Sequence, residues 1–364
     1  RAWRVYDDVV ISLLADCFGP GLTEVGRQVV FLPGKLGGLG FLSAEARADC
    51  AWLSAWQRVR QSVRAGQGAT DEAAAEQRTP VLTAIVAEAK GRVRAAGAVV
   101  LNDPRSAPHQ RFYSKQLENK AHAALKGHLP EPELQVFNSQ GGTGADVLRV
   151  PRRPQHLLGD DEFAVIIRRR MLMQDPAGSE GLPCQNASSR RNACGAADGA
   201  AFVEHASKCR VGPGFVRRHN VVRDALADWL VSVYGQAAVV LEQRIPGWDK
   251  VTNEGLKQAV LDVVLSYPGG RVCIDVSVAE AIASDASTTR LHCRVLGAAA
   301  RQREQEKHTR YPGPGLCAAA LEGSGRMGAE LAAFLRAHAP GEGADRAQAL
   351  ADVRQRLVVA LARG

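Results

Sequence analysis

The residues best placed for chemistry are Asp262 and Asp275. They stand in Ala259-Val260-Leu261-Asp262-Val263-Val264-Leu265 and Arg271-Val272-Cys273-Ile274-Asp275-Val276-Ser277-Val278, two apolar runs joined by Ser266-Tyr267-Pro268-Gly269-Gly270. Such runs around Pro-Gly read as a β-hairpin. With the turn centred between Pro268 and Gly269, the aspartates fall directly opposite each other and on one face, because strand side chains alternate with period two. Leu261, Val263, Leu265, Ile274 and Val276 take the other face, towards a core. Opposed carboxylates, with Cβ atoms roughly 5 Å apart, repel. A hard divalent cation such as Mg²⁺ compensates such a pair, and can activate water and stabilise charge on a phosphate. The plainer alternative is two solvent-facing aspartates on a half-exposed hairpin; the depletion of Asp in strands counts against it. Glu242, at the end of the preceding strand-like run, is a candidate third carboxylate for magnesium.

A second cluster lies upstream. Cys184, Cys194, His205 and Cys209 have the spacing C-x9-C-x10-H-x3-C. Three thiolates and an imidazole make a closed tetrahedral zinc set, with the last two ligands one helical turn apart. Zinc there would be structural, folding a polar loop unable to pack by itself. A loop with incidental cysteines is the alternative. Arg217-Arg218-His219-Asn220 follows at the start of a predicted helix, where basic side chains suit phosphate contacts; a solvated helix terminus is the bland reading.

The elements that must position these groups follow from periodicity. Helices are predicted over 5–18 (with Val9, Leu13 and Leu14 on one stripe), 43–63, 80–94, 113–126, 159–173 and 216–234. Strands follow at 237–243, 259–266 and 271–278, then a helix at 289–309, a short apolar run at 316–321 and a helix at 326–338. The order from 216 onward is α-β-β-β-α-β-α. The fold class is therefore mixed, α/β or α+β, with a largely helical N-terminal half. Five segments are expected: 1–63, a helical segment; 64–180, a helical connector; 181–215, the knuckle; 216–340, the strand-bearing domain; and 341–364, a C-terminal helix.

The chain has 364 residues, 46% hydrophobic and 23% charged, with a net charge of +8. That balance favours a polyanionic partner. No run of about 18 apolar residues occurs, so no membrane span is expected. The start, Arg1-Ala2-Trp3-Arg4, has no apolar signal core, which reads as a piece of a longer open reading frame. Cys17, Cys50, Cys273, Cys293 and Cys317 lie in apolar surroundings and read as reduced core residues, pointing to cytosol or nucleus.

These motifs carry a family resemblance. Cys194-Gly195-Ala196 through His205 and Cys209, then Arg218-His219-Asn220-Val221-Val222-Arg223-Asp224, resembles the tail of non-LTR retrotransposon reverse transcriptases that carry a CCHC knuckle, an Arg-His-Asn helix and a restriction-like, PD-(D/E)XK-type endonuclease. Glu242-Gln243, Pro246, Trp248, Leu261-Asp262-Val263-Val264, Ile274-Asp275-Val276, and Glu306-Lys307 with Arg310-Tyr311-Pro312 are similar too. Leu32-Pro33 through Gly37-Gly38-Leu39-Gly40, with Ala51-Trp52-Leu53-Ser54-Ala55-Trp56, resembles the region beyond the polymerase palm, so 1–63 is expected to be thumb-like. Leu261 stands where the family has proline, and Ser277 where it has lysine. Lys307, four residues after Arg303 on one helical face, is the candidate replacement.

The resemblance implies a module that nicks target DNA with Mg²⁺ to prime reverse transcription. Asp262, Asp275 and Lys307 would be catalytic, and Arg217, Arg218 and His219 would contact nucleic acid. Zinc would be structural. Partners would be target DNA, the element's RNA and an N-terminal polymerase part, in the nucleus. The alternative is a decayed nucleic-acid-binding module that keeps the knuckle and the fold. Tyr6-Asp7-Asp8 imitates a polymerase signature but lies in a helical pattern too close to the Gly-rich segment to belong to a palm; it reads as helix surface.

Overall fold

The computed structural model describes residues 2–19, 21–67, 80–101, 109–173, 194, 209, 214–253, 255–279 and 286–364. Helices and small mixed sheets make an α+β fold. The chain divides into two compact units, with a boundary between Leu129 and Pro130; the second unit also takes Pro20–Thr23 and Gly34–Leu39. Residues 130–173, expected within a connector, therefore belong to the strand-bearing unit.

The first unit holds α1 (Ala2–Phe18), α2 (Glu24–Val30), α3 (Ala44–Gln67), α4 (Pro80–Ala95) and α5 (Gln110–His128). Cys50, Leu53, Ala89, Val93, Ala98, Val100 and Tyr113 form its core. On α1 the buried face is Asp7, Val10, Ile11 and Leu14, the spacing of one helical stripe. Val9 and Leu13, expected inside with Leu14, are 51% and 58% exposed. Leu14 shares its face with Val10 and Ile11 at i−4 and i−3, and a fall of one residue puts Val9 and Leu13 on the flank. Asp7 is buried because it closes α3. Its carboxylate accepts Ser43 Oγ at 2.6 Å and the Ala44 N–H at 2.7 Å, while Ser43 Oγ accepts the Ala46 N–H at 3.0 Å. The orphan N–H groups of a helix start are thereby satisfied. Cys17, expected in a core, is exposed; Cys50, Cys273, Cys293 and Cys317 are buried and free.

The second unit holds α6 (Glu131–Gln140), α7 (Asp160–Arg170), α8 (Gly214–Tyr234), β1 (Val239–Arg244), β2 (Lys250–Thr252), β3 (Gly255–Lys257), β4 (Val260–Tyr267), β5 (Gly270–Ala279), α9 (Ala286–Arg294), α10 (Ala298–Arg310), β6 (Leu316–Glu322), α11 (Ala329–His338) and α12 (Gly343–Arg363). The main sheet runs β1-β4-β5-β6, with β5 and β6 parallel and the other pairs antiparallel. One face packs Val263, Leu265, Ile274, Val276, Cys317, Ala319 and Leu321 against α8, α11 and α12. The helix read over 289–309 is two, α9 and α10, and Gly297, at the start of α10, has φ 75°, a left-handed conformation that a continuous helix does not contain. The Tyr267 to Gly270 turn requires Gly269: an added Cβ would lie 2.4 Å from the Tyr267 ring, which is fixed between Tyr234 and His338.

Polar side chains bind α6 into this unit. Gln135 donates to Thr289 O at 2.6 Å and Asn138 to Cys293 O at 2.9 Å. Arg170, buried, donates to Gly38 O at 2.9 Å and to Gln140 O and Gly144 O at 3.1 Å. Burial pushes its guanidinium down to about 10. The Gly-rich segment 34–39 thus supplies part of a set of carbonyls around a buried cation, from Gly38 and, at 3.4 Å, Gly34.

β6 is an edge strand, and its free side is covered. Ala318 N–H donates to Glu330 at 3.1 Å, Gly328 N–H to Ala320 O at 2.8 Å, and Glu322 N–H to Arg326 O at 2.8 Å. Among the described residues, no helix is long and apolar enough to cross a membrane.

Candidate active site

β4 and β5 pair Val263 with Ile274, Val264 with Cys273, and so on to Tyr267 with Gly270. One step further, the same register sets Asp262 opposite Asp275. The hairpin ladder stops just before that pair, and Asp262 fills the gap: its Oδ2 accepts the Val276 N–H at 2.7 Å. β5 continues against β6 instead, with Asp275 beside Ala318. The splay separates the two backbones while a carboxylate supplies the missing acceptor.

Each aspartate holds a basic side chain from a different helix. His219 Nε2 lies 2.9 Å from Asp262 Oδ1, and Lys307 Nζ donates to Asp275 Oδ1 at 2.7 Å. α8 carries His219 and, one turn on, Arg223, which donates to Asp224 and to Glu242. α10 carries Lys307. Its first turn is Ala298, Ala299 and Ala300, packed at β6, whose middle is Ala318, Ala319 and Ala320. Small side chains on both elements let α10 lie close to the sheet, within a lysine's reach of Asp275.

The electrostatics separate the two acids. Burial works to raise both, since it penalises the charged form. At Asp262 the hydrogen bond and charge of His219, with the Val276 N–H, outweigh burial and hold the carboxyl below its ordinary range. At Asp275 burial, together with the neighbouring Asp262, outweighs Lys307 and pushes the carboxyl up. One acid is thus ionised more readily than the other, as close carboxylate pairs behave. Tyr311, at the end of α10, has its phenol raised by burial and then by the charge of Asp275.

The other expected residues fall as follows. Glu242 has φ 50°, is exposed, and is held by Arg223; it does not join the aspartates. β1 keeps its register across Glu242, but the ladder passes over it, and its left-handed backbone takes the side chain out of the alternation that would have aimed it at Asp262. Leu261 likewise leaves the main core face for a smaller cluster with Ala259, Val264, Cys273, Tyr311 and Leu316. Arg217 is exposed and Arg218 half-buried, in the first turns of α8. Of the expected zinc set, Cys184 and His205 lie outside the described residues; Cys194 is half-buried and Cys209 buried. Among the described residues no group of three or more His, Cys, Asp or Glu is gathered as a metal site. The Asp262–Asp275 pair nonetheless fits Mg²⁺, a hard cation that takes one or two carboxylates and fills its shell with water and phosphate oxygens.

His219 was expected to touch nucleic acid; its bond to Asp262 was not foreseen. The only sequence signal is its place on α8, one turn before Arg223. The chain matches no protein-family model and no curated protein.

Proposed function

We propose that residues 216–340 are a Mg²⁺-dependent DNA endonuclease of the restriction-like, PD-(D/E)XK type, from the tail of a non-LTR retroelement protein. It nicks target DNA and leaves a 3′ hydroxyl to prime reverse transcription. The observation that carries this reading is the meeting of Asp262, Asp275 and Lys307, from two strands and a helix. The element order, α8, then β1, β4 and β5, then α10, β6 and α11, with β5 parallel to β6, supports it. So does the net charge of +8.

Asp262 and Asp275 would hold the cation, which when bound lowers the pKa of water and neutralises charge on the phosphate. Lys307 then has two tasks. Without substrate it offsets the buried Asp275 charge; with a phosphodiester present, its ammonium is placed to steady a phosphate oxygen or orient the attacking water. His219 keeps the Asp262 carboxylate ionised and turned towards the pair. Arg217, Arg218 and a zinc knuckle of Cys184, Cys194, His205 and Cys209 would grip DNA phosphates. The element's RNA and a polymerase part would be the other partners, in the nucleus.

The test is nicking of supercoiled plasmid in Mg²⁺ by the 364-residue chain. Asp262→Ala with Asp275→Ala should lower the rate at least about a hundredfold, with circular dichroism unchanged. Nicking that persists in the double variant would falsify the assignment. A second reading, a DNA-binding module without catalysis, is favoured by the tie of Glu242 to Arg223 and by Leu261 and Ser277 at the family's proline and lysine positions. It predicts salt-sensitive DNA binding with no Mg²⁺-dependent nicking by the unaltered chain.

A further inference from the structure

The small hairpin between β1 and β4 has no packing role of its own. All six residues of β2 and β3 are exposed, and its two large apolar side chains, Val251 and Leu256, are 86% and 57% exposed. They are cross-strand partners, and so are Lys250 and Lys257. Like charges set directly opposite destabilise a strand pair. Neither lysine makes an ion pair with a carboxylate among the described residues; Lys250 Nζ donates instead to Thr309 O at 3.4 Å. An isolated two-stranded hairpin is marginal in water, so this one persists through its base. There Ile245 N–H donates to Ala259 O at 2.8 Å, Asp249 accepts the Ala259 N–H at 2.7 Å, and Trp248 Nε1 donates to Pro312 O at 2.8 Å.

That base is rooted beside the paired acids. Ile245 and Trp248 pack on the cluster of Ala259, Leu261 and Tyr311. Leu261 immediately precedes Asp262, and the Tyr311 N–H donates to Lys307 O at 2.7 Å. The hairpin therefore presents an exposed lysine pair and an exposed apolar pair at the end of the sheet that carries the site. The side chains lack what a phosphate backbone supplies: negative charge for Lys250 and Lys257, and a groove wall for Val251 and Leu256. A two-stranded ribbon has the dimensions to enter a DNA groove, and leucine is among the apolar side chains used as wedges in the minor groove.

We propose that the β2–β3 hairpin is a DNA-binding finger that holds duplex DNA at the active site, with Lys250 and Lys257 on phosphates and Val251 and Leu256 against the groove. The proposal rests on the nuclease reading for the identity of the polyanion. It assigns two separable contributions, an electrostatic one from the lysines and an apolar one from the tip.

The experiment measures binding of the full chain to a fluorescent duplex oligonucleotide without added Mg²⁺, across salt from about 50 to about 200 mM. Lys250→Ala with Lys257→Ala should weaken binding and flatten the plot of log affinity against log salt by about two units, roughly one per lost phosphate contact. Val251→Ser with Leu256→Ser should weaken binding about tenfold, the scale of losing burial of one aliphatic side chain, with the salt slope kept. Circular dichroism melts should match the unaltered chain, since none of the four side chains is buried. Wild-type affinity and slope in both double variants overturn the proposal; loss in the lysine variant alone overturns its apolar half. Loss of self-association by the serine variant, with DNA binding intact, would overturn it in favour of a contact between copies. Plasmid nicking by the unaltered chain in Mg²⁺ decides the nuclease reading separately. A chain that nicks while its hairpin variants bind normally loses the finger and keeps the nuclease.

Discussion

Two acidic pairs in this chain behave in opposite ways. Asp7 and Asp8 are adjacent in sequence and diverge in space: on α1 one is buried and the other exposed. Asp262 and Asp275 are separated by a turn and converge. Asp7 is also fully occupied, by Ser43 and the first N–H groups of α3. Asp262 and Asp275 hold His219 and Lys307, side chains from two different helices. Asp7 closes a helix with both of its oxygens; Asp262 gives one oxygen to the Val276 N–H and the other to a side chain, and Asp275 bonds to Lys307. The contrast separates an acid occupied by the start of a helix from a pair of acids held by side chains of two helices.

The largest expected effect tests the second kind. Lys307→Ala should reduce nicking about a hundredfold or more, the cost of removing one charge-stabilising donor. Stability should change little, because Asp275, already pushed up by burial, takes a proton when its partner is gone. Strong destabilisation with nicking intact would reverse the comparison and make Lys307 structural.

The next tests the first kind. Asp7→Ala should cost about 1–2 kcal/mol, the range for losing an N-terminal cap, seen as a lower urea midpoint for the unit that contains α3. Asp8→Ala should stay within about 0.5 kcal/mol. Neither should alter nicking. Equal effects of the two would mean that the capping bonds of Asp7 contribute nothing.

The smallest effect is on pH. Burial lowers the His338 pKa, and its Nδ1 lies 2.6 Å from Tyr234 Oη. The unfolded chain then binds a proton first, so stability falls as pH drops below about 6.5, and stops falling once pH passes the folded value. Denaturant midpoints for the chain and for His338→Gln should differ in slope over that range. Parallel slopes would place the acid sensitivity elsewhere.

The sequence made the hairpin legible because a turn and a period of two are local. The register follows from Pro268 and Gly269, and helices such as 5–18, 80–94 and 216–234 follow from stripes of apolar side chains. Less visible were features set by tertiary packing. α6 buries Gln135, Asn138, Ser139 and Gln140 beside Phe137, and its buried amides find carbonyls on α9, so its inner face is mostly polar and no apolar stripe marks it. The β2–β3 hairpin has no buried face and hence no alternation. The break at Gly297 was hidden by apolar and basic residues that continue the helical period on both sides. At the site, Lys307 could be singled out from its place on a helix, whereas the His219 bond depends on how α8 crosses β4, a relation between elements distant in sequence. Glu242 was misplaced because one left-handed residue breaks a rule that assumes an unbroken strand.

The covered edge of β6 bears on how the protein lives with its neighbours. An open strand edge is a template on which other chains stack, the first step towards fibrils and amorphous aggregates. Here Glu330 and residues 326–328 take up the outward backbone groups of β6. The sheet is blunted at its β6 border. Copies of the chain can therefore crowd without strand pairing along β6.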